Sequence, residues 1–154
     1  MPHILDNMIW NAITTGNKDI AMLDGDVGSY QPGIAPFAGV KELNDKNLEK
    51  LHAFMTAGNK IALAYPDRPV FDESQWKVLQ KMEVNQMVYE NPVDVFKTMN
   101  SELIVPLQDE HIPQMLELTA LTKPGPFLQR TNLFGNYFGI FIDGRLAAMT
   151  GQRM

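Results

Sequence analysis

The chain has 154 residues, a net charge of −5 and no cysteine, which limits it to one ordinary domain or two small ones that share a core. Its 45% hydrophobic and 20% charged residues are typical of a folded globular protein and exclude a disordered one. The acidic balance excludes proteins that bind nucleic acid or anionic membranes through net charge, and the lack of cysteine excludes disulfides, Cys-based zinc sites and catalytic thiols.

The first hundred residues predict two amphipathic helices. The first runs from Asn7 to Thr15 after a predicted N-cap at Asp6, and the second begins at Asn44 or Asp45 and ends before Gly58. The apolar residues of both recur at helical spacing, which places them on one face of each helix. They are Met8, Ile9, Ala12 and Ile13 in the first helix, and Leu48, Leu51, Phe54 and Met55 in the second.

Short apolar runs between turn-forming residues predict strands in the same region. The strands are expected at residues 20–23, 35–40, 60–65 and 82–89, with a one-turn helix at 74–79. Asp24-Gly25-Asp26 follows the first strand and predicts a turn, because glycine readily adopts the positive φ that tight turns require.

A linker is predicted at residues 91–102, where no periodic pattern spans the sequence. We therefore predict two regions, residues 1–100 and residues 101–154. The second region begins with a strand at 103–107 and continues with a helix capped by Asp109, which has Pro113 in its first turn, where no N–H is needed. Another short helix is predicted at residues 127–134, and Gly135 ends it.

The strongest local signal is a β-hairpin near the C-terminus. Residues 137–142 and 145–152 are strand-like, and Asp143-Gly144 between them fits a type I′ turn, which needs positive φ at both positions. The first of these strands is apolar on both sides, so we expect something to cover it. Together the elements predict an α/β fold of the α+β kind, with a mixed, mainly antiparallel sheet flanked by short helices.

The sequence carries few catalytic signals of its own. His3, His52 and His111 are too dispersed to indicate a metal triad, and His52 is expected to be a partly buried structural imidazole. Neither a glycine-rich phosphate loop nor a nucleophile elbow occurs, so we assign no catalytic residue and no metal site. With no signal peptide and no apolar run near the roughly 20 residues of a membrane span, a cytoplasmic location is expected.

One larger pattern resembles a known family. The segment from Leu118 to Phe127, with its Lys123-Pro124-Gly125-Pro126 elbow, and the hairpin from Tyr137 to Gln152 are similar to the GNAT acetyltransferase superfamily. The nearest likeness is to its glycine N-acyltransferase-like branch, in which a strand, two helices with a Pro-Gly elbow and an antiparallel strand pair follow in this order. Residues 5–12 and 36–38 also resemble the amino-terminal extension of bacterial members.

The resemblance implies an N-acyltransferase that moves an acetyl or acyl group from acetyl-CoA, or another acyl-CoA, to the amine of a small-molecule or peptide acceptor. It also implies a wall of the acceptor pocket, which we call the elbow wall. Its residues are Thr122, Pro124, Gly125, Phe127, Gln129 and Arg130. Structural alternatives stay open, because Pro-Gly-Pro would end any helix and a lone arginine is often a solvated charge.

The resemblance stops short of the cofactor loop. In the family, an Arg/Gln-x-x-Gly-x-Gly/Ala loop at a helix N-terminus holds the coenzyme A pyrophosphate, and this pattern does not occur before Met154. The resemblance therefore implies the amino-terminal portion of a GNAT domain, truncated and inactive by itself. The alternative is a non-catalytic binding or assembly module, whose last strand pairs with a second copy or with a complementing chain.

Overall fold

A computed structural model describes residues 3–66, 71–90 and 103–152. The chain divides into two units after Gln86, and each unit contains a three-stranded antiparallel sheet. The α+β, mainly antiparallel fold is thus confirmed, with two sheets in place of the single one expected. The predicted boundary near residue 100 lies outside the described residues and stays a prediction. Across the described ranges, no helix is long and apolar enough to cross a membrane.

The sheet of the first unit has the order β1-β2-β3. Its strands are β1 Ala21–Asp24, β2 Val27–Tyr30 and β3 Ala38–Val40. The sequence analysis missed β2, because Gly28 weakens the strand pattern. The structure explains this glycine, since a Cβ there would lie 2.5 Å from Cδ2 of Leu23.

The first helix, α1, covers Met8–Thr14 and follows a short 3₁₀ helix at Ile4–Asn7. Ile9 and Ile13 are buried, as the helical spacing predicted. The predicted N-cap is wrong, because the Asp6 carboxylate accepts a hydrogen bond from the His3 N–H at 2.7 Å. Asp6 therefore closes the 3₁₀ turn that precedes α1. The spacing of apolar residues does not predict this separate helical segment.

The second helix, α2, covers Asp45–Phe54 and confirms its prediction closely. Oδ1 of Asn44 accepts from the Asn47 N–H at 2.9 Å, which is the capping bond expected of asparagine at this position. The helix buries Leu51 in the core of the unit, together with Val27, Ala38 and Val40. It ends at Phe54, four residues before the predicted stop at Gly58.

Three further predictions for the first hundred residues are wrong. The strand expected at 60–65 is reduced to a single parallel bridge between Ala62 and Phe37. The helix expected at 74–79 is replaced by a turn in which the Asp72 carboxylate accepts from the Ser74 N–H at 2.9 Å. Residues 82–89 form no strand. A strand needs a neighbour for its backbone groups, and alternation in sequence cannot supply one.

The sheet of the second unit has the order β4-β5-β6. Its strands are β4 Val105–Pro106, β5 Phe138–Ile142 and β6 Arg145–Thr150. The hairpin prediction is confirmed, since Asp143 and Gly144 have φ of 50° and 76° and join β5 to β6. Pro106 lies in the edge strand β4, where a missing N–H is tolerated.

The main helix of this unit, α3, covers Ile112–Thr122 after a 3₁₀ turn at Asp109–His111. It buries Met115 and Thr119, which lie four residues apart on one face of the helix. Asp109, however, makes no capping bond, because the 3₁₀ turn moves the helix start three residues along the chain. The helix predicted at 127–134 shrinks to a 3₁₀ helix at Thr131–Phe134.

Candidate functional site

The elbow wall begins at the last residue of α3. The Thr122 hydroxyl donates to the Leu118 carbonyl at 2.9 Å and so stays within the helix. Lys123 then adopts the left-handed conformation, with φ of 48°, and stops the helix. Pro124 and Gly125 follow as exposed residues. The elbow therefore ends the helix, which is the structural alternative that its sequence left open. Its surface is exposed to solvent.

The rest of the elbow wall is partly packed and partly exposed. The Phe127 ring is half-buried and meets the Tyr137 ring edge-on, with 5.9 Å between centroids and 85° between planes. Such edge-to-face pairs are a favoured aromatic geometry. Gln129 and Arg130 are exposed. The six residues thus share one surface segment, and their contact with an acceptor stays a prediction.

A pocket of about 90 Å³ lies beside this segment, at the end of β4. We call it the Asp109 pocket. It is lined by Leu107, Gln108, Asp109, Met115, Asn132, Gly135, Asn136 and Tyr137. Pockets for whole drug-sized ligands usually measure roughly 300–1,000 Å³. The Asp109 pocket is therefore sized for one chemical group of a larger molecule.

Backbone pairing fixes the geometry of this pocket. The Leu107 N–H donates to the Tyr137 carbonyl at 2.8 Å, which extends the pairing of β4 with β5 and joins the two sides of the pocket. The chain turns just before Tyr137, at Gly135 and Asn136, whose φ angles are 84° and 54°. Glycine and asparagine are the residues that best tolerate these positive values.

The polar lining contains one carboxylate, three side-chain amides and one tyrosine hydroxyl. Nδ2 of Asn132 donates to Oδ1 of Asp109 at 3.4 Å. Because a carboxylate only accepts, this contact fixes the amide orientation and leaves Oδ1 of Asn132 as an acceptor. Nδ2 of Asn136 donates to Oε1 of Gln152 at 3.2 Å. The lining includes one carboxylate and no lysine, arginine or histidine.

The sequence analysis did not identify this pocket. It interpreted Asp109 as a helix cap and gave no role to Asn132 or Asn136. Asn136 follows Gly135 directly and Asn132 precedes it by three residues, and this pattern alone indicates only a turn. The pocket forms because the chain returns to Asp109 after more than twenty residues, which no local pattern reveals.

Glu117 and His52 do not line the Asp109 pocket. Glu117 pairs with Arg145 at 2.8 Å on the surface. His52 is exposed, contrary to the prediction of partial burial, because it lies on the outer side of α2. Its ring meets the Trp76 ring with 5.3 Å between centroids. Glu102 lies outside the described residues. Within the described ranges, no three metal-ligating side chains come together.

The starts of α2 and α3 do not fit the diphosphate of an acyl-CoA. Such a group needs cations or open helix N-termini. The first turns leading into α3 carry Asp109 and Glu110, which would repel it. The first turn of α2 carries Asp45, and Asn44 already occupies one of its N–H groups.

Comparison with solved structures gives a match over nearly the whole chain. No family model matches the sequence, and no curated protein matches it either. One match is a crystal structure at 1.80 Å of a Novosphingobium aromaticivorans DSM 12444 protein assigned as an acetyltransferase of the GNAT family, with a TM-score of 0.75 and 26% identity. It covers 99% of this chain, which spans 66% of the neighbour's length. This chain therefore has the fold of a GNAT-family acetyltransferase over almost all of its length.

Proposed function

We propose that this chain is a GNAT-type N-acyltransferase, or a truncated portion of one, in the glycine N-acyltransferase-like branch. The reaction is the transfer of an acetyl or acyl group from an acyl-CoA to the amine of a small-molecule or peptide acceptor. The observation that carries the proposal is the likeness to a GNAT-family structure, with a TM-score of 0.75 over 99% of the chain. The order β4, α3, β5 and β6 in the second unit agrees with it.

The acceptor is expected to meet the second unit. The elbow wall from Thr122 to Arg130 supports this, because most of its side chains are exposed and Phe127 packs against Tyr137, which lines the Asp109 pocket. Acyl-CoA is expected to bind mainly through residues outside this chain, which spans 66% of the neighbour's length. A cytoplasmic location belongs to the same proposal, and the absence of cysteine is compatible with a reducing compartment.

Isothermal titration with acetyl-CoA tests the enzyme proposal. We expect the 154-residue chain to show no binding, and a longer product of the gene to bind acetyl-CoA and to acetylate an added amine. If the longer product neither binds acetyl-CoA nor transfers the acetyl group, the enzyme proposal is wrong.

A second candidate function is a non-catalytic assembly module. The observation that favours it is the edge position of β6, which pairs with β5 on one side and with no other strand among the described residues. Edge strands offer unpaired N–H and C=O groups to a further strand, here from a second copy or a complementing chain. Sedimentation velocity over a range of concentrations tests this, and a strictly monomeric chain that stays soluble would contradict self-assembly.

A further inference from the structure

The Asp109 pocket has the chemistry of a cation site. We propose that it binds a protonated primary amino group of the acceptor, and that this group is not the nitrogen that becomes acylated. The identification of the bound molecule as the acceptor rests on the proposed acyltransferase function. The binding of an ammonium group to the pocket stands on the pocket alone.

The side-chain oxygens of the lining can bind a donor. Asp109 accepts one N–H of Asn132, and Asn136 donates one N–H to Gln152, while each of these amides keeps a second N–H. The second carboxylate oxygen of Asp109 and the amide oxygens of Asn132 and Asn136 can accept. A primary ammonium group has three N–H donors and no acceptor, as in a lysine side chain. A volume of about 90 Å³ accommodates this group with a short carbon stem.

The charge of the lining excludes the opposite ligand. The start of α3 would by itself attract an anion, but Asp109 and Glu110 already occupy the turn that leads into it. The whole chain carries a net charge of −5. A divalent metal is also a poor match, since calcium takes about 6–8 oxygen ligands and the lining supplies one carboxylate.

The same carboxylate makes the bound nitrogen a poor nucleophile. An opposite charge nearby stabilises the protonated amine, whereas acylation requires the free lone pair. The amino group in the pocket therefore anchors the acceptor, and a second nitrogen of the same molecule reacts. This assigns the acceptor to the class of diamines and other amines that carry a second basic group.

A titration on the 154-residue chain tests the anchor directly. The side-chain amide signals of Asn132 in the ¹⁵N-labelled protein are followed by NMR as ethylammonium chloride is added. We expect saturable shifts, and about tenfold weaker binding in Asp109→Asn, which removes the charge and keeps the shape. The control Asp143→Asn removes an equal charge from the hairpin turn, where asparagine tolerates the φ of 50°, and should bind like the parent chain.

A second measurement uses the unmodified chain. Sodium chloride at about 0.5 M should weaken ethylammonium binding, because salt screens partly exposed charges, and sodium acetate should not shift the Asn132 signals. Unsaturable shifts, equal affinity in Asp109→Asn and Asp143→Asn, or stronger binding of acetate would overturn the proposal. No acyl-CoA is present, so this result is independent of whether the acyltransferase proposal survives.

Discussion

Burial raises the pKa of Tyr65 to about 12, although its hydroxyl accepts a hydrogen bond from the Val40 N–H at 3.3 Å, which acts in the lowering direction. In the unfolded chain a tyrosine ionises near pH 10. The unfolded state therefore loses this proton first as the pH rises. We expect the free energy of unfolding to fall between about pH 10 and 12, by at most about 1.4 kcal/mol per pH unit for this group.

Urea denaturation at about pH 9 and about pH 11.5 measures this effect. Tyr65→Phe should flatten the decline, whereas Tyr89→Phe should not, since Tyr89 is exposed. Some decline should persist in Tyr65→Phe, because burial also raises the pKa of Tyr30. A decline of equal size in the parent chain and in Tyr65→Phe would contradict the assignment.

Gly151 is fixed by its contact with an aromatic ring. A Cβ at this position would overlap the ring of Tyr137, which is buried and lines the Asp109 pocket. We expect Gly151→Ala to destabilise the second unit by about 1–3 kcal/mol through overpacking. Gly16→Ala is the matched control, because nothing lies within 4 Å of its added Cβ. Thermal unfolding compares the two variants, and equal melting temperatures would show that Tyr137 moves aside freely.

At the scale of elements, two polar contacts join helix α3 to β6, and they contribute differently to the free energy of unfolding. Oε1 of Gln114 accepts from the Leu146 N–H at 2.7 Å, and Leu146 is buried. Glu117 pairs with Arg145 at 2.8 Å, with both side chains exposed. Removing an acceptor from a buried N–H costs about 1–3 kcal/mol, whereas an exposed ion pair contributes about 0–1 kcal/mol.

We therefore expect Gln114→Leu to lower the unfolding free energy more than Arg145→Ala does. Gln114→Glu keeps an acceptor for the Leu146 N–H and should recover most of the loss. Chemical denaturation of the three variants under identical conditions gives the comparison. A larger loss in Arg145→Ala would reverse the ranking of the two contacts.

At the scale of the whole molecule, the assembly proposal predicts that β6 pairs with a strand of another chain. Ala147 is the extra residue where the register shifts, since Ile140 pairs with Ala148 and Phe141 with Leu146. A lysine on an edge strand opposes pairing with another chain. We expect Ala147→Lys to shift any oligomer seen by sedimentation toward monomer. Ala120→Lys adds the same charge at an exposed position of α3 and should have no such effect; equal effects would implicate net charge instead.

Several elements were predictable because their signals are local. Asn44 caps α2 through a residue three positions away, and Asp143-Gly144 turns the hairpin through its own backbone preferences. The burial of Ile9, Ile13 and Met115 follows from helical spacing. The elbow after Thr122 ends α3 because of the residues it contains. In each case the residues that predict the feature are also the residues that form it.

Other features depend on residues that are distant in sequence. Whether residues 27–30 or 82–89 become a strand depends on an available neighbour, and only the first segment has one among the described residues. The Asp109 pocket likewise requires the end of β4 to meet the segment around Asn132 and Asn136. The sequence by itself determined α1, α2 and α3, the hairpin and the resemblance to an acetyltransferase. The tertiary structure decided the strand partners and the pocket, because hydrogen-bond pairing and burial are properties of two segments together.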